Sequence, residues 1–282
     1  MKKYLLLITL ITFSFSFSQI ETPQPSPASE IDQTVGLTEI NVEYSRPSIK
    51  GREIFGNLVP YNKIWRTGAN ASTKISFSTH VDINGKRINP GKYSLFTVPN
   101  ESEWKIILYN NTELWGVPQN WDDNNVVLST SVKIEKFPEP ISIETFSIGF
   151  DKVNNNYVIL SIMWDDVYVP ITIDVPTKAI VEKNIKEVMS KNPESSDFYA
   201  AAVYFRQENI NLEKALEWID KAVEMSDEPK YWQLRQQSLI YAANGDLKGA
   251  VKIAKKSLEA AKIADNQDYV KMNKDSIEEW SN

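Results

Sequence analysis

The chain has no cysteine and a single histidine, His80. Without thiols there can be no disulfide, thiolate nucleophile, zinc–cysteine site or lipidated N-terminal cysteine. Any histidine-based mechanism has one residue to work with. Positive charge is also short: 31 Lys plus Arg face 37 Asp plus Glu in 282 residues. That balance argues against binding a phosphate backbone, so no nucleic acid is expected as a partner. Missing too are a phosphate-cradling glycine loop, a dinucleotide fingerprint, a Gly-x-Ser-x-Gly elbow and a pair of histidines at metal-ligand spacing. No cofactor and no metal are therefore expected.

Long apolar runs are absent beyond the N-terminus. Met1-Lys2-Lys3 precedes an apolar stretch from Tyr4 to Phe17, with Ser16 and Ser18 as a small-x-small pair at its end. This is the pattern of a signal peptide over residues 1–18, too short for a membrane span of roughly 20 residues. Cleavage before Gln19 removes Lys2 and Lys3, leaving 29 positive against 37 negative residues, a net charge of −8. An exported protein, periplasmic or extracellular and with no membrane span after signal removal, is the expectation.

The mature chain divides into three stretches. Residues 19–33, rich in proline, read as a flexible leader. Residues 34–176 read as an antiparallel β-sandwich domain, jelly-roll-like, built of short strands joined by turns without intervening helices. Thr73 to Ile83 alternates as one half-buried strand, with Ile75, Phe77, Val81 and Ile83 on one face and His80 and Asp82 on the other. Asn84-Gly85 then signals a type I′ hairpin. A phase slip between Ile143 and Phe146 predicts a bulge, and Pro170 predicts an edge strand. Residues 177–282 turn helical. Leu212, Ala215, Leu216, Ile219, Ala222 and Val223 recur 35 residues later as Leu247, Ala250, Val251, Ala254, Ser257 and Leu258. That offset resembles the tetratricopeptide period of about 34 residues, so an all-α tetratricopeptide-like array is expected, with a protein partner as its natural ligand.

Three motifs carry a family resemblance. They are Gly51-Arg52-Glu53-Ile54-Phe55-Gly56, Leu58-Val59-Pro60-Tyr61-Asn62-Lys63-Ile64-Trp65-Arg66-Thr67-Gly68-Ala69-Asn70, and Pro90-Gly91-Lys92-Tyr93-Ser94-Leu95-Phe96-Thr97-Val98-Pro99, with Trp115-Gly116 beyond them. Over roughly residues 34–175 the chain resembles an uncharacterised family of exported bacterial proteins known as domain of unknown function 2911. The resemblance implies an exported β domain and supplies no activity. Where that family usually carries an acidic residue this chain has Ala71, and no role falls to that position.

The residues must therefore speak for function. Arg52, Trp65, Arg66 and Asn70 sit in one glycine-punctuated, apparently irregular segment. Guanidinium forks bind carboxylates or phosphates, and indoles stack on sugars or cations, which makes these four the candidate ligand-binding residues for a small anionic or sugar-like ligand. The same residue types also suit a loop that satisfies its own carbonyls and plugs the core, and on composition alone that structural role weighs more. The triplets Trp121-Asp122-Asp123 and Trp164-Asp165-Asp166 offer oxygens for calcium but no calcium-loop spacing, and read as turns. His80 with Asp82 reads as an exposed strand residue, and Trp104 and Trp115 as core plugs. A poor catalytic inventory beside two recognition devices favours a non-catalytic binding module. A periplasmic hydrolase using carboxylates with Arg52 and Arg66, and a structural envelope protein, are the alternatives.

Overall fold

The computed structural model describes residues 22–281 and divides them into two compact units that part after Thr177. The first unit is a β-sandwich. One sheet has the order β1-β2-β3-β6-β7-β8, from β1 (Ala28–Val35), β2 (Thr38–Ser45), β3 (Thr73–Phe77), β6 (Gly91–Val98), β7 (Glu103–Tyr109) and β8 (Val126–Lys133). The other runs β10-β11-β12-β4-β5, from β10 (Ile143–Asp151), β11 (Tyr157–Asp165), β12 (Val167–Asp174), β4 (Val81–Ile83) and β5 (Lys86–Ile88), with the short β9 (Glu135–Lys136) also on β12. Every ladder between these strands is antiparallel. Alternate apolar side chains of both sheets meet in one core around Trp104, Trp164, Phe146, Ile75 and Ile106. This is the antiparallel sandwich that the short alternating strands predict.

Several local expectations are met and several are corrected. Asn84 and Gly85 both take positive φ, 49° and 72°, in a two-residue turn that pairs Ile83 with Lys86. The register of β10 on β11 shifts between Ile143 and Ser147, the expected bulge. The single strand expected over residues 73–83 is in fact two. β3 belongs to the first sheet and β4 to the second, and the chain crosses between them at Ser78–His80. The alternation survives the crossing because both sheets face the same core. Pro170 does not lie on the sheet's edge strand: β12 has β11 on one side throughout. On its other side, however, β9 pairs only with Val167 and Tyr168, and β4 only with Ile173 and Asp174. Between those short neighbours the missing N–H of Pro170 meets no ladder. The flexible leader expected over 19–33 is a strand from Ala28, because Ala28–Val35 pairs residue for residue with Thr38–Ser45. The signal-peptide reading of 1–18 lies outside the described residues.

The second unit carries α1 (Thr177–Met189), whose first residue belongs to the β unit, then α2 (Ser195–Gln207), α3 (Leu212–Glu224), α4 (Tyr231–Ala243), α5 (Leu247–Ile263) and α6 (Gln267–Ser281). Each helix from α2 onward packs on the next, and α2, α4 and α6 also touch in succession. Ala215 and Ala250 are fully buried, as the stripes require. Asn211 and Asp246, 35 residues apart like the stripes, each cap the following helix by accepting from the backbone N–H of Lys214 (3.2 Å) and Gly249 (2.8 Å). Among the described residues no helix is long and apolar enough to cross a membrane.

Candidate functional site

The segment between β2 and β3 bridges the two sheets. Its start runs beside β10, with Phe146 N–H donating to Pro47 O (2.9 Å) and Ile49 N–H to Glu144 O (2.8 Å). Its far end runs beside β6, where Trp65 and Thr97 exchange backbone hydrogen bonds of 2.7 and 3.0 Å. Between these anchors Ile54 and Val59 are buried, and Phe55 sets its ring edge-on to Trp104 at 5.1 Å. The segment therefore closes the core with Ile54, Phe55, Val59 and Trp65 and leaves most of its charged residues on the rim.

All four sequence-predicted residues, Arg52, Trp65, Arg66 and Asn70, line one concavity of about 570 Å³. Each also has a structural partner. Arg52 donates to Ser48 O (2.6 Å) and Ile49 O (3.0 Å). Arg66 donates through Nη1 to Asn70 O (2.7 Å). Asn70 donates through Nδ2 to Gln24 Oε1, Ser26 O and Ser45 Oγ. Trp65 donates to Gly68 O (3.1 Å), and its ring stacks on Trp164 at 5.9 Å and 16°, with Trp104 and Phe146 edge-on around it. All four side chains thus brace the loop while lining the concavity.

Other lining residues were not foreseen. Lys50 adds a third cation, Trp164 a second indole, and Pro25 and Ser26 come from the supposed leader. Among the described residues none of Lys50, Arg52 and Arg66 forms an ion pair, and no described carboxylate lines the cavity. Thr67 is fully buried at φ 54°, a left-handed conformation that β-branched residues avoid, and its hydroxyl lies 3.1 Å from that of Thr97. Lys50, Asn62 and Asn70 are left-handed as well, so backbone strain is concentrated along this segment.

The remaining motifs meet this site only through Trp164, Trp104 and Gly116. Asp122 accepts from Asn124 and Asn125, and Asp123 from Trp121 Nε1, so the first Trp-Asp-Asp triplet is a self-bonded turn. In the second, Trp164 is core, Asp165 turns the chain at φ 53°, and Asp166 pairs with Lys136 at 2.7 Å. His80 sits in the sheet-to-sheet crossing rather than on a strand face, and Asp82 pairs with Arg87 at 3.2 Å. Trp104 is a core plug; Trp115 is not, being 74% exposed. Its neighbour Gly116 lies against the Arg66 guanidinium.

An antiparallel sandwich closed by a strained, cation-rich crossover loop, continued by six helices, is the class of protein these features define. The chain belongs to the family described as "Protein of unknown function (DUF2911)", which matches residues 26–173. Comparison with curated proteins gives no match, and none of the solved structures matches either.

Proposed function

We propose that the chain is an exported, non-catalytic binding protein whose β unit holds a small anionic ligand, a carboxylate or phosphate on a flat or sugar-like body. The observation that carries this reading is the cavity's charge. Lys50, Arg52 and Arg66 line one concavity and form no ion pair among the described residues, the nearest carboxylate in contact being Glu144, which accepts from Lys50 N–H (3.0 Å), in a chain whose net charge is −6. A cleft of one sign focuses its field and concentrates the opposite ion. Trp65, half-buried over the core indole of Trp164, gives the non-ionic part of a ligand an apolar surface. The hydrolase alternative draws its acid and base from carboxylates placed beside Arg52 and Arg66, and no described carboxylate lines the cavity.

Titration calorimetry against carboxylated, phosphorylated and neutral sugars tests the reading. Only the anionic compounds should bind, more weakly as salt rises. Lys50→Ala should weaken binding about tenfold, the ~1.4 kcal/mol of one charge-assisted contact, without lowering the melting temperature, because Lys50 is exposed. Absence of binding by every anion would leave Arg52, Arg66 and Asn70 as loop braces and favour a structural envelope role. Export is part of the same proposal and rests on the Met1–Ser18 pattern. N-terminal sequencing from the native host should read from Gln19, and an intact Met1 would overturn it. The helical unit, with its 35-residue offset, is read as a tetratricopeptide-like surface for a protein partner.

A further inference from the structure

The helical unit holds two arginines that form no ion pair among the described residues. Arg206 lies on α2 and Arg235 on α4. Arg206 Nε and Arg235 Nη1 are buried, with no hydrogen-bond partner. Burial pushes both guanidiniums below their ordinary value, and the charge of Arg206, on a helix in contact with α4, pushes Arg235 further down. An arginine does not escape by losing its proton, so both stay charged.

Helical spacing and ring contacts set these arginines on one surface. Tyr199 and Arg206 are seven residues apart on α2, Tyr231 and Arg235 four apart on α4, and Tyr269 and Trp280 eleven apart on α6. Each interval returns to the same helix face. Tyr231 meets Tyr269 edge-on at 4.7 Å, and the Arg235 guanidinium lies 5.9 Å from the centre of the Trp280 ring. Since α2, α4 and α6 touch in succession, the three stripes form one continuous face. Asp275 and Glu279 act on Arg235 only as its weakest influences, and Asp275 is bonded to Lys271.

Desolvated guanidiniums that repel each other are unfavourable until an anion joins them. We propose that the α2–α4–α6 face binds an acidic peptide segment of a partner protein, with peptide carboxylates bridging Arg206 and Arg235 and the flanking aromatic rings covering its apolar atoms. Neighbouring helix axes lie about 8–10 Å apart, so three of them present roughly 16–20 Å. Five or six extended residues span that width at about 3.3 Å each. The length favours a peptide over a lone anion. This proposal rests on the reading of the helical unit as a partner surface and is independent of the β-unit cavity.

The experiment uses the full mature chain and fluorescein-labelled hexaglutamate and hexaglutamine peptides, read by fluorescence anisotropy at low salt. Hexaglutamate should bind, and its affinity should fall as salt is added. Arg206→Met and Arg235→Met should each weaken it at least tenfold and leave the melting temperature unchanged or higher, because each removes a buried charge that lacks a partner. Lys50→Ala should leave hexaglutamate binding intact, so failure of the cavity reading and failure of this one are told apart. Four results overturn the proposal. One is no binding of hexaglutamate by the wild-type chain. Another is equal binding of hexaglutamine. A third is methionine variants that melt lower and still bind. The last is competition by inorganic phosphate at equal charge as strong as hexaglutamate itself, which would mark a small-anion site.

Discussion

Gly116 shows how one residue couples loop geometry to the cavity. It has φ 98°, and a methyl group built on it would stand 3.1 Å from both Cζ and Nη1 of Arg66 and 3.3 Å from Nη2. Near-equal distances to three guanidinium atoms mean that the peptide lies over the flat face of the arginine. Only glycine permits both the backbone angle and that approach. Gly51, also left-handed at φ 69°, has nothing within 4 Å of the same position. Ala at either site should cost about 1 kcal/mol for the backbone angle. Gly116→Ala should in addition displace the Arg66 guanidinium, a movable side-chain end, and weaken anion binding several-fold. Melting curves and titration calorimetry on the two variants check this. Equal affinities in both would show that Arg66 does not face the ligand. Of the cavity's own residues, the arginines, Trp65 and Asn70 were legible in the sequence because their chemistry and the surrounding glycines stand out. Lys50 had the same chemistry and was passed over. Trp164 and Ser26 could not be found locally, since distant strands bring them to the site.

Strand elements were legible where a local rule decides them and obscure where tertiary pairing does. The Asn84-Gly85 turn needs only two residues that tolerate positive φ, and the bulge in β10 shows as a broken alternation. Strand β1 shows neither: its burial alternates, but its inward positions include Ser29 and Gln33, and three prolines precede it. It exists because β2 offers an edge to pair with. The split of residues 73–83 was equally hidden, because a crossing between two sheets that share a core does not disturb a period of two. That crossing has an electrostatic consequence. It sets β4 against β12 so that Asp82 lies directly opposite Asp174. Like charges directly across a ladder are unfavourable. Burial first, and the charge of Asp82 second, raise the Asp174 pKa above its ordinary value. A carboxyl raised in the folded state holds its proton more tightly there than in the unfolded chain. Ionised Asp174 thus opposes folding at neutral pH, and the penalty disappears as pH falls below the unfolded value of about 4. Asp174→Asn should raise stability at pH 7 by a few tenths of a kcal/mol, at the low end of about 0.2–1, because the site is exposed to solvent. The gain should shrink toward zero below about pH 4. Chemical denaturation of both proteins at pH 7 and pH 3 measures it, and a gain that persists at pH 3 would exclude a charge effect.

At the scale of the whole chain, each unit has its own main core, with a smaller third cluster of Phe96, Ile107 and Tyr109 in the β unit. One main core gathers Trp104, Trp164, Phe146 and the alternating residues of both sheets. The other is built on Ala201, Ala202, Ala215, Trp218, Ile219 and Ile240. The boundary falls one residue into α1, since Thr177 is buried in the β unit, where its hydroxyl accepts from Leu37 N–H. Each unit exceeds the size at which a single core sustains folding, and no disulfide is available to either. Separate cores predict separate responses to mutation. Phe146→Ala empties the centre of the first, where the ring is fully buried against Tyr44, Trp65 and Trp164, and should cost about 3–5 kcal/mol. Ala250→Leu overpacks a fully buried position on α5 of the helical unit and should cost about 1–3 kcal/mol. Each kcal/mol moves the melting point of a unit of about 100 residues by roughly 4–8 °C. Scanning calorimetry of the full chain should resolve two transitions, with Phe146→Ala lowering one and Ala250→Leu the other, while Lys255→Leu on an exposed position moves neither. A single transition lowered by both substitutions would show that the chain melts as one cooperative body, and that Phe146 and Ala250 draw on a common stability in spite of their separate units.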